Sequence, residues 1–242
     1  MDTGSNRRRN LEGEVAKLVT IKLVSFDVYM ALIDIQGSLT PVTAAALDLD
    51  TEAADEFVRL WRAKQMERAA ASNSLGLGRT LFRDCTRMGL DYVLARHGID
   101  LPDDQRRELV SAWDAIRPWP EAIELVGEVK NRGYVTAILS NGDHDMLAAL
   151  AKPFGDKMDH ILSAESAGVY KPHPAVYDLP ETELKIAKAD VLHVAGSGND
   201  VMGAIATGMR CYWSNRNGDR VIDTTYVPTG EGADLTGVLE LL

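Results

Sequence analysis

A short apolar segment near the start of the chain ends in a single carboxylate, and this feature constrains the fold most. The run Leu23-Val24-Ser25-Phe26 has the length and composition of a strand that is buried on both faces in a parallel sheet. Asp27 follows it directly. Because ligands of open α/β sheets bind beyond the carboxyl ends of the strands, Asp27 is predicted to be a nucleophile or a metal ligand.

Further strand-like segments recur at wide intervals, with helical patterns between them. After a first strand within residues 18–29, strands are predicted at residues 134–140, 160–163, 191–195 and 209–213. Helices are predicted at residues 122–132, 145–150 and 200–207. This alternation predicts an α/β fold with a doubly wound parallel sheet.

Residues 41–117 break the alternation. They contain no strand-like run and show dense helical patterns at residues 51–71 and 80–97. We therefore expect a core domain of residues 18–40 and 118–242 with an inserted helical cap of residues 41–117, which excludes water from a reacting centre. The polar residues 1–17, with three consecutive arginines, are predicted to be a disordered extension.

Composition narrows the function classes. The 242 residues carry a net charge of −10 and a pI near 5.0, which disfavours nucleic acid and anionic membranes as partners. Cys85 and Cys211 are too far apart in sequence for a CxxC motif, so a zinc site and a disulfide framework are not expected. No apolar run has membrane-spanning length, and cytoplasmic localisation is expected.

Four segments that carry candidate catalytic or binding residues lie at the same predicted edge of the sheet. They are Asp27, the turn Ser140-Asn141-Gly142, Lys171 before a proline, and the run Gly196-Ser197-Gly198-Asn199-Asp200 after a strand. The serine hydroxyl and exposed backbone N–H groups of the second segment suit an anion. Convergence of the four predicts a single active site.

The order of these motifs resembles that of the haloacid dehalogenase superfamily, from about Lys22 to Gly218. Within it the chain is most similar to the (S)-2-haloacid dehalogenases, through the segments 26–29 (FDVY), 60–65 (LWRAKQ), 138–142 (ILSNG) and 211–216 (CYWSNR). The resemblance implies hydrolysis of short (S)-2-haloacids, small 2-substituted carboxylates, to (R)-2-hydroxy acids. It implies no cofactor and no metal.

The resemblance assigns four catalytic roles. Asp27 attacks C2 and forms an aspartyl ester, which water then hydrolyses. Arg62 on the cap holds the leaving halide, and Lys171 holds Asp27 charged. Asp200 positions Lys171 and the hydrolytic water. The implied substrate-binding residues are Tyr29, Ser140, Asn141, Met66, Phe82, Ser197 and Asn199.

Position 29 separates this branch from the phosphatases of the superfamily, which need an acid two residues after the nucleophile. Tyr29 occupies that place, and a phenol is not a base at neutral pH. A halide leaves without a proton, so dehalogenation does not need the acid. A magnesium-dependent phosphatase remains an alternative, in which Glu165 and Asp143 are candidate metal ligands.

The chain also departs from the family pattern. Met30-Ala31 replaces a usual Gly-Thr, and Ala195 and Ser197 replace a usual Ser and Asn. Two further alternatives therefore stay open, a ring-opening hydrolase of the azetidine-2-carboxylate type and a catalytically weak binding relative. The histidines, including His193, are interpreted as structural. Apolar residues of the cap make a homodimer an expectation.

Overall fold

Six parallel strands form the single sheet in the described part of the chain. The computed structural model describes residues 20–76 and 78–242, so the predicted extension of residues 1–17 lies outside them. The sheet order is β3-β2-β1-β4-β5-β6. The strands are β1 Leu23–Phe26, β2 Val135–Ser140, β3 His160–Ser163, β4 Val191–Ala195, β5 Arg210–Ser214 and β6 Gly230–Gly232. The doubly wound parallel fold predicted from the sequence is confirmed.

Ten α-helices and four 3₁₀ helices accompany the strands in the described residues. The α-helices are α1 Ile35–Leu47, α2 Thr51–Leu75, α3 Phe82–His97, α4 Asp103–Ser111, α5 Ala122–Asn131, α6 His144–Ala151, α7 Ala164–Ala167, α8 Pro174–Tyr177, α9 Leu179–Leu184 and α10 Gly198–Ala206. The 3₁₀ helices are Ala112–Ala115, Lys152–Lys157, Lys188–Asp190 and Thr236–Leu241.

The position of β1 in the sheet fixes where a ligand binds. The chain runs from β1 towards β2 and β3 on one side, then returns to β4 and β5 on the other. Ser25 of β1 lies opposite Ala137 of β2 and His193 of β4. The crevice of such a sheet opens where the strand order reverses, which here is between the carboxyl ends of β1 and β4. Asp27 and the turn after Ala195 therefore meet at this crevice.

A helical block, α1 to α4, follows β1. It begins at Ile35, where the Asp34 carboxylate accepts a hydrogen bond from the backbone N–H of Gly37 and caps α1. The predicted cap boundary between residues 40 and 41 therefore falls inside α1. Helices α2 and α3 pack around Trp61, which is fully buried and donates its indole N–H to the carbonyl of Thr86 at 2.7 Å.

Polar contacts fix the helical block over the edge of the sheet. The Asp143 carboxylate, just beyond β2, accepts hydrogen bonds at 2.9 Å from the backbone N–H groups of Phe82 and Arg83 in the first turn of α3. Arg79 forms a buried ion pair with Asp143 at 2.6 Å. These bonds hold α2 and α3 above Asp27. No helix of the described residues has both the length and the apolar character that crossing a membrane requires.

Candidate active site

A cavity of about 310 Å³ lies between the helical block and the carboxyl edge of the sheet. Nine of the predicted site residues line it, namely Asp27, Tyr29, Arg62, Met66, Asn141, Lys171, Ser197, Asn199 and Asp200. They come from the ends of three strands, from the loop before α8 and from α2. The structure therefore brings the separate motifs of the sequence together around one cavity.

Asp27 occupies the centre of this site. Its backbone N–H donates to the carbonyl of Val194 at 2.9 Å, which extends the β1–β4 ladder by one residue. Its Oδ1 accepts a hydrogen bond from Ser140 Oγ at 2.9 Å and lies 3.6 Å from Lys171 Nζ. Burial raises the pKa of Asp27 to about 6, with Lys171 opposing the rise and Asp200 adding to it. The carboxylate is thus held in one orientation and is ionised at neutral pH.

Lys171 and Asp200 form a buried ion pair beside Asp27. Their Nζ and Oδ2 atoms are 3.0 Å apart, and both side chains are almost inaccessible to solvent. The opposite charge of Lys171 and hydrogen bonds from His193 and Tyr177 hold the pKa of Asp200 well below its ordinary value, against the effect of burial. Asp200 is therefore a fixed anion and a weak base, which suits a positioning role.

The sequence interpretation of His193 as purely structural is incomplete. His193 is fully buried on β4, and its Nε2 lies 3.0 Å from Asp200 Oδ2 and 3.2 Å from Lys171 Nζ. Its Nδ1 lies 2.9 Å from the hydroxyl of Ser25 on the neighbouring strand. Burial lowers the pKa of His193, so the ring is neutral at pH 7. The Ser25 hydroxyl, the His193 imidazole and the Lys171–Asp200 ion pair thus form one continuous chain of polar contacts.

Tyr177 is a site residue that the sequence interpretation missed. Its hydroxyl donates to Asp200 Oδ1 at 2.7 Å, and its ring packs edge-on against His193. Burial, with the Asp200 charge adding to it, raises the pKa of the phenol well above its ordinary value, so Tyr177 stays protonated and donates. The sequence held only one signal, Lys171 before a proline six residues earlier, and no short motif marks the tyrosine itself.

Arg62 is a cationic group of the helical block that lines the same cavity as Asp27. Its guanidinium lies over the ring of Tyr29, 5.0 Å from the centroid, and near the rings of Phe82 and Trp113. Gln65 accepts a hydrogen bond from Arg62 Nη1 at 2.5 Å. Aromatic faces and one amide thus fix the guanidinium without neutralising its charge.

Two predicted substrate contacts are placed differently by the structure. Ser140 is fully buried, does not line the cavity and donates its hydroxyl to Asp27. Phe82 does not line the cavity either, because its ring packs against Tyr29 at a centroid distance of 5.3 Å. Ser140 therefore orients the Asp27 carboxylate, and Phe82 supports a wall formed by Tyr29. The positions of Ser140 and Phe82 in the sequence do not predict which way their side chains point.

Other predicted residues also carry contacts of their own. Asn141 Oδ1 accepts from the backbone N–H of Lys171 at 2.8 Å, which ties the second motif to the third. Ser197 caps α10 by accepting from the backbone N–H of Asp200. Asn199 is exposed at the cavity rim. These contacts bring the ends of β2 and β4 and the loop that carries Lys171 to one point.

Met30, one of the departures from the family pattern, has an unusual backbone conformation. Its φ is 71°, in the left-handed region that side-chain-bearing residues rarely adopt. Gly196 packs directly against it, since a Cβ at position 196 would lie 2.6 Å from Ala31 N and 2.8 Å from Met30 Cβ. The tight backbone contact requires a glycine at 196 and fixes Met30 at the cavity wall.

The candidate metal ligands of the alternative interpretation are engaged elsewhere. Asp143 caps α3 and pairs with Arg79, while Glu165 accepts a hydrogen bond from the backbone N–H of His144. Within residues 20–76 and 78–242, no group of three or more His, Cys, Asp or Glu side chains is arranged to hold a metal ion.

Comparisons with known proteins agree with this geometry. The profile of a hydrolase family, the haloacid dehalogenase-like hydrolases, matches residues 21–208. The chain is 31% identical to an (S)-2-haloacid dehalogenase of Pseudomonas sp. (strain YL), over 91% of this chain and 94% of that protein. The solved L-2-haloacid dehalogenase of Xanthobacter autotrophicus superposes with a TM-score of 0.82 at 28% identity, over 92% and 98% of the two chains.

A second structure of the Xanthobacter protein carries covalently bound chloropropionic acid. It superposes with a TM-score of 0.80 at 26% identity and covers 92% of this chain and 98% of its own.

Proposed function

The chain belongs to the haloacid dehalogenase-like hydrolases, and from that premise we propose that it hydrolyses short (S)-2-haloacids to (R)-2-hydroxy acids. The reaction proceeds through an ester on Asp27. The observation that carries the proposal is the position of Asp27, a carboxylate oriented by Ser140 and Lys171 in a cavity that Arg62 also lines.

The first step is a displacement at C2 of the substrate. Ser140 and Lys171 both contact Oδ1 of Asp27, which leaves Oδ2 as the attacking atom. The Asp27–C2 bond forms as the carbon–halogen bond breaks, the halide leaves with the electron pair, and C2 is inverted. Burial of the carboxylate strengthens this attack, since few hydrogen bonds must be broken before it reacts.

Arg62 is placed to receive the leaving halide. Its guanidinium lines the cavity together with Asp27 and is held from behind by the rings of Tyr29 and Trp113. A delocalised cation in a partly desolvated site stabilises charge that develops in the transition state. The halide needs no proton, so no acid is required beside it.

The second step is hydrolysis of the ester at the Asp27 carbonyl carbon. Water adds to this carbon, and the bond between Asp27 Cγ and the ester oxygen breaks while the C2–O bond remains intact. One proton of the water goes to the departing oxygen of the 2-hydroxy acid, and the other is released as the Asp27 carboxylate is restored. Lys171 and Asp200 line the cavity beside Asp27, and Tyr177, which does not line it, donates a hydrogen bond to Asp200. Asp200, with its low pKa, orients the water, and Lys171 stabilises the oxyanion.

The phosphatase alternative lacks its acid. Tyr29 is fully buried and its hydroxyl has no hydrogen-bond partner among the described residues. Burial raises the pKa of this phenol far above its ordinary value, so it neither accepts a proton as a base nor releases one readily. We expect phosphomonoesters to be inert with or without Mg²⁺, and halide release to survive excess chelator. Robust magnesium-dependent phosphate release would refute the proposal.

A halide-release assay tests the proposed function. Purified protein is incubated with (S)-2-chloropropionate, (R)-2-chloropropionate and azetidine-2-carboxylate, and chloride and chiral products are measured. We expect chloride and (R)-lactate from the (S) enantiomer only. Turnover of azetidine-2-carboxylate without chloride release from either enantiomer would show that the reaction is ring opening and not dehalogenation. Absence of any turnover would favour the binding relative.

A further inference from the structure

A second cavity of about 430 Å³ adjoins the active-site cavity. Four residues line both of them, namely Met30, Arg62, Ala63 and Ser197. The second cavity extends from this shared wall along the carboxyl end of β5. Nothing in the proposed reaction of a three-carbon substrate uses this space.

Met30 is the member of the shared wall that controls passage. Ala63 and Ser197 have short side chains, and Arg62 is held by Gln65 and by the ring of Tyr29. Met30 is long, uncharged and flexible, and its backbone is fixed at a φ of 71° against Gly196. This close packing fixes the start of the Met30 side chain at one place on the shared wall.

The walls of the second cavity suit an apolar chain. Apolar side chains are part of its lining, namely Ile33, Ile35, Trp119 and Trp213. Two arginines on the wall already have partners, because Arg59 pairs with Asp55 and Arg216 with Glu121. Arg62, the third arginine on the wall, is assigned to the leaving halide in the proposed reaction, and the wall also carries Asp34 and Asp219, so a second anionic group on the substrate is not favoured there.

We propose that Met30 is a specificity-determining residue that limits the enzyme to short 2-substituents, and that the second cavity is the space a linear alkyl chain at C2 enters when the Met30 side chain is removed. The proposal rests on the proposed function. Its chemical class of ligand is a 2-substituted carboxylate with an unbranched, uncharged chain longer than a methyl group.

Chain-length selectivity tests this proposal. The ratio of kcat/KM for (S)-2-chlorohexanoate to that for (S)-2-chloropropionate is measured in the wild type, Met30→Ala and Met30→Leu. Each buried methylene increases binding about fourfold, so Met30→Ala is expected to raise the ratio at least about tenfold. Met30→Leu keeps the bulk and is expected to keep the wild-type ratio. A smaller rise in Met30→Ala, or an equal rise in Met30→Leu, would overturn the proposal.

Two controls separate this proposal from the proposed function. Met88→Ala removes an exposed methionine of α3 and is expected to leave the ratio unchanged. Calorimetric affinities for unreactive propanoate and hexanoate give the same selectivity without turnover. If no variant releases chloride, the proposed reaction is wrong. In that case a selective gain in hexanoate affinity in Met30→Ala still supports the role of Met30. The absence of such a gain rejects that role.

Discussion

Lys171 Nζ lies 3.0 Å from Asp200 Oδ2 but 3.6 Å from Asp27 Oδ1. The lysine therefore lies closer to the carboxylate of Asp200 than to that of Asp27. The positive charge of Lys171 offsets the burial of the Asp27 carboxylate only in part. For this reason the pKa of Asp27 is raised to about 6, while that of Asp200 is lowered. A poorly compensated carboxylate is the more reactive of the two.

The raised pKa of Asp27 predicts a pH dependence. Below pH 6 the carboxyl is protonated and cannot attack, whereas above it the carboxylate is free. We expect kcat/KM for (S)-2-chloropropionate to rise as pH increases through about 6 and then to level off, because this parameter reports ionisations of the free enzyme. Initial rates between pH 4.5 and 8 measure it. A profile that is flat down to pH 4.5 would contradict the assignment.

Arg62→Lys keeps a positive charge but loses the planar, delocalised head that stacks on Tyr29. We expect kcat and kcat/KM to fall together, by roughly tenfold or more, as for an interaction made in the transition state. Arg59→Lys is the matched control on the same helix, since Arg59 is exposed and pairs only with Asp55 among the described residues. Steady-state kinetics of both variants test this expectation. A silent Arg62→Lys would move the halide site elsewhere.

Tyr177→Phe removes the hydroxyl that donates to Asp200 Oδ1. Loss of a hydrogen bond to a buried anion costs about 1.5–3 kcal/mol, so we expect kcat to fall by roughly tenfold or more. The loss should fall on ester hydrolysis, so the covalent intermediate should accumulate in rapid-quench mass spectra. Tyr134→Phe, whose hydroxyl bonds the carbonyl of Leu242, is the control. Equal effects of the two changes would show a general structural role.

The sequence predicted the parts of the site that follow directly from strand ends. Asp27 could be placed because it directly follows an apolar run, and Asp200 because it lies in the turn that follows another apolar run. Lys171 could be placed because its motif is local in sequence. Tyr177 and His193 could not, because their contacts depend on the register of distant strands and on the packing of a four-residue helix. The short strand β6 was missed because Gly230-Glu231-Gly232 has no apolar pattern.

The Ser25–His193 contact predicts a non-additive effect on stability. His193→Phe leaves the buried Ser25 hydroxyl without its partner, which costs about 1–3 kcal/mol in the free energy of unfolding. Adding Ser25→Ala removes the orphaned group. We therefore expect the double variant to be more stable than His193→Phe alone, in a double-mutant cycle measured by urea denaturation. Additive losses would show that the two side chains are not coupled.

The central claim is that Asp27 carries the substrate as an ester, and isotope transfer from water tests it most directly. The enzyme turns over excess (S)-2-chloropropionate in H₂¹⁸O, and the peptide that contains Asp27 is then analysed by mass spectrometry. Because water attacks the Asp27 carbonyl carbon, we predict that ¹⁸O accumulates in this carboxylate, while lactate formed in a single turnover carries ¹⁶O at C2. Label that appears only in lactate, with Asp27 unlabelled after many turnovers, would contradict the account.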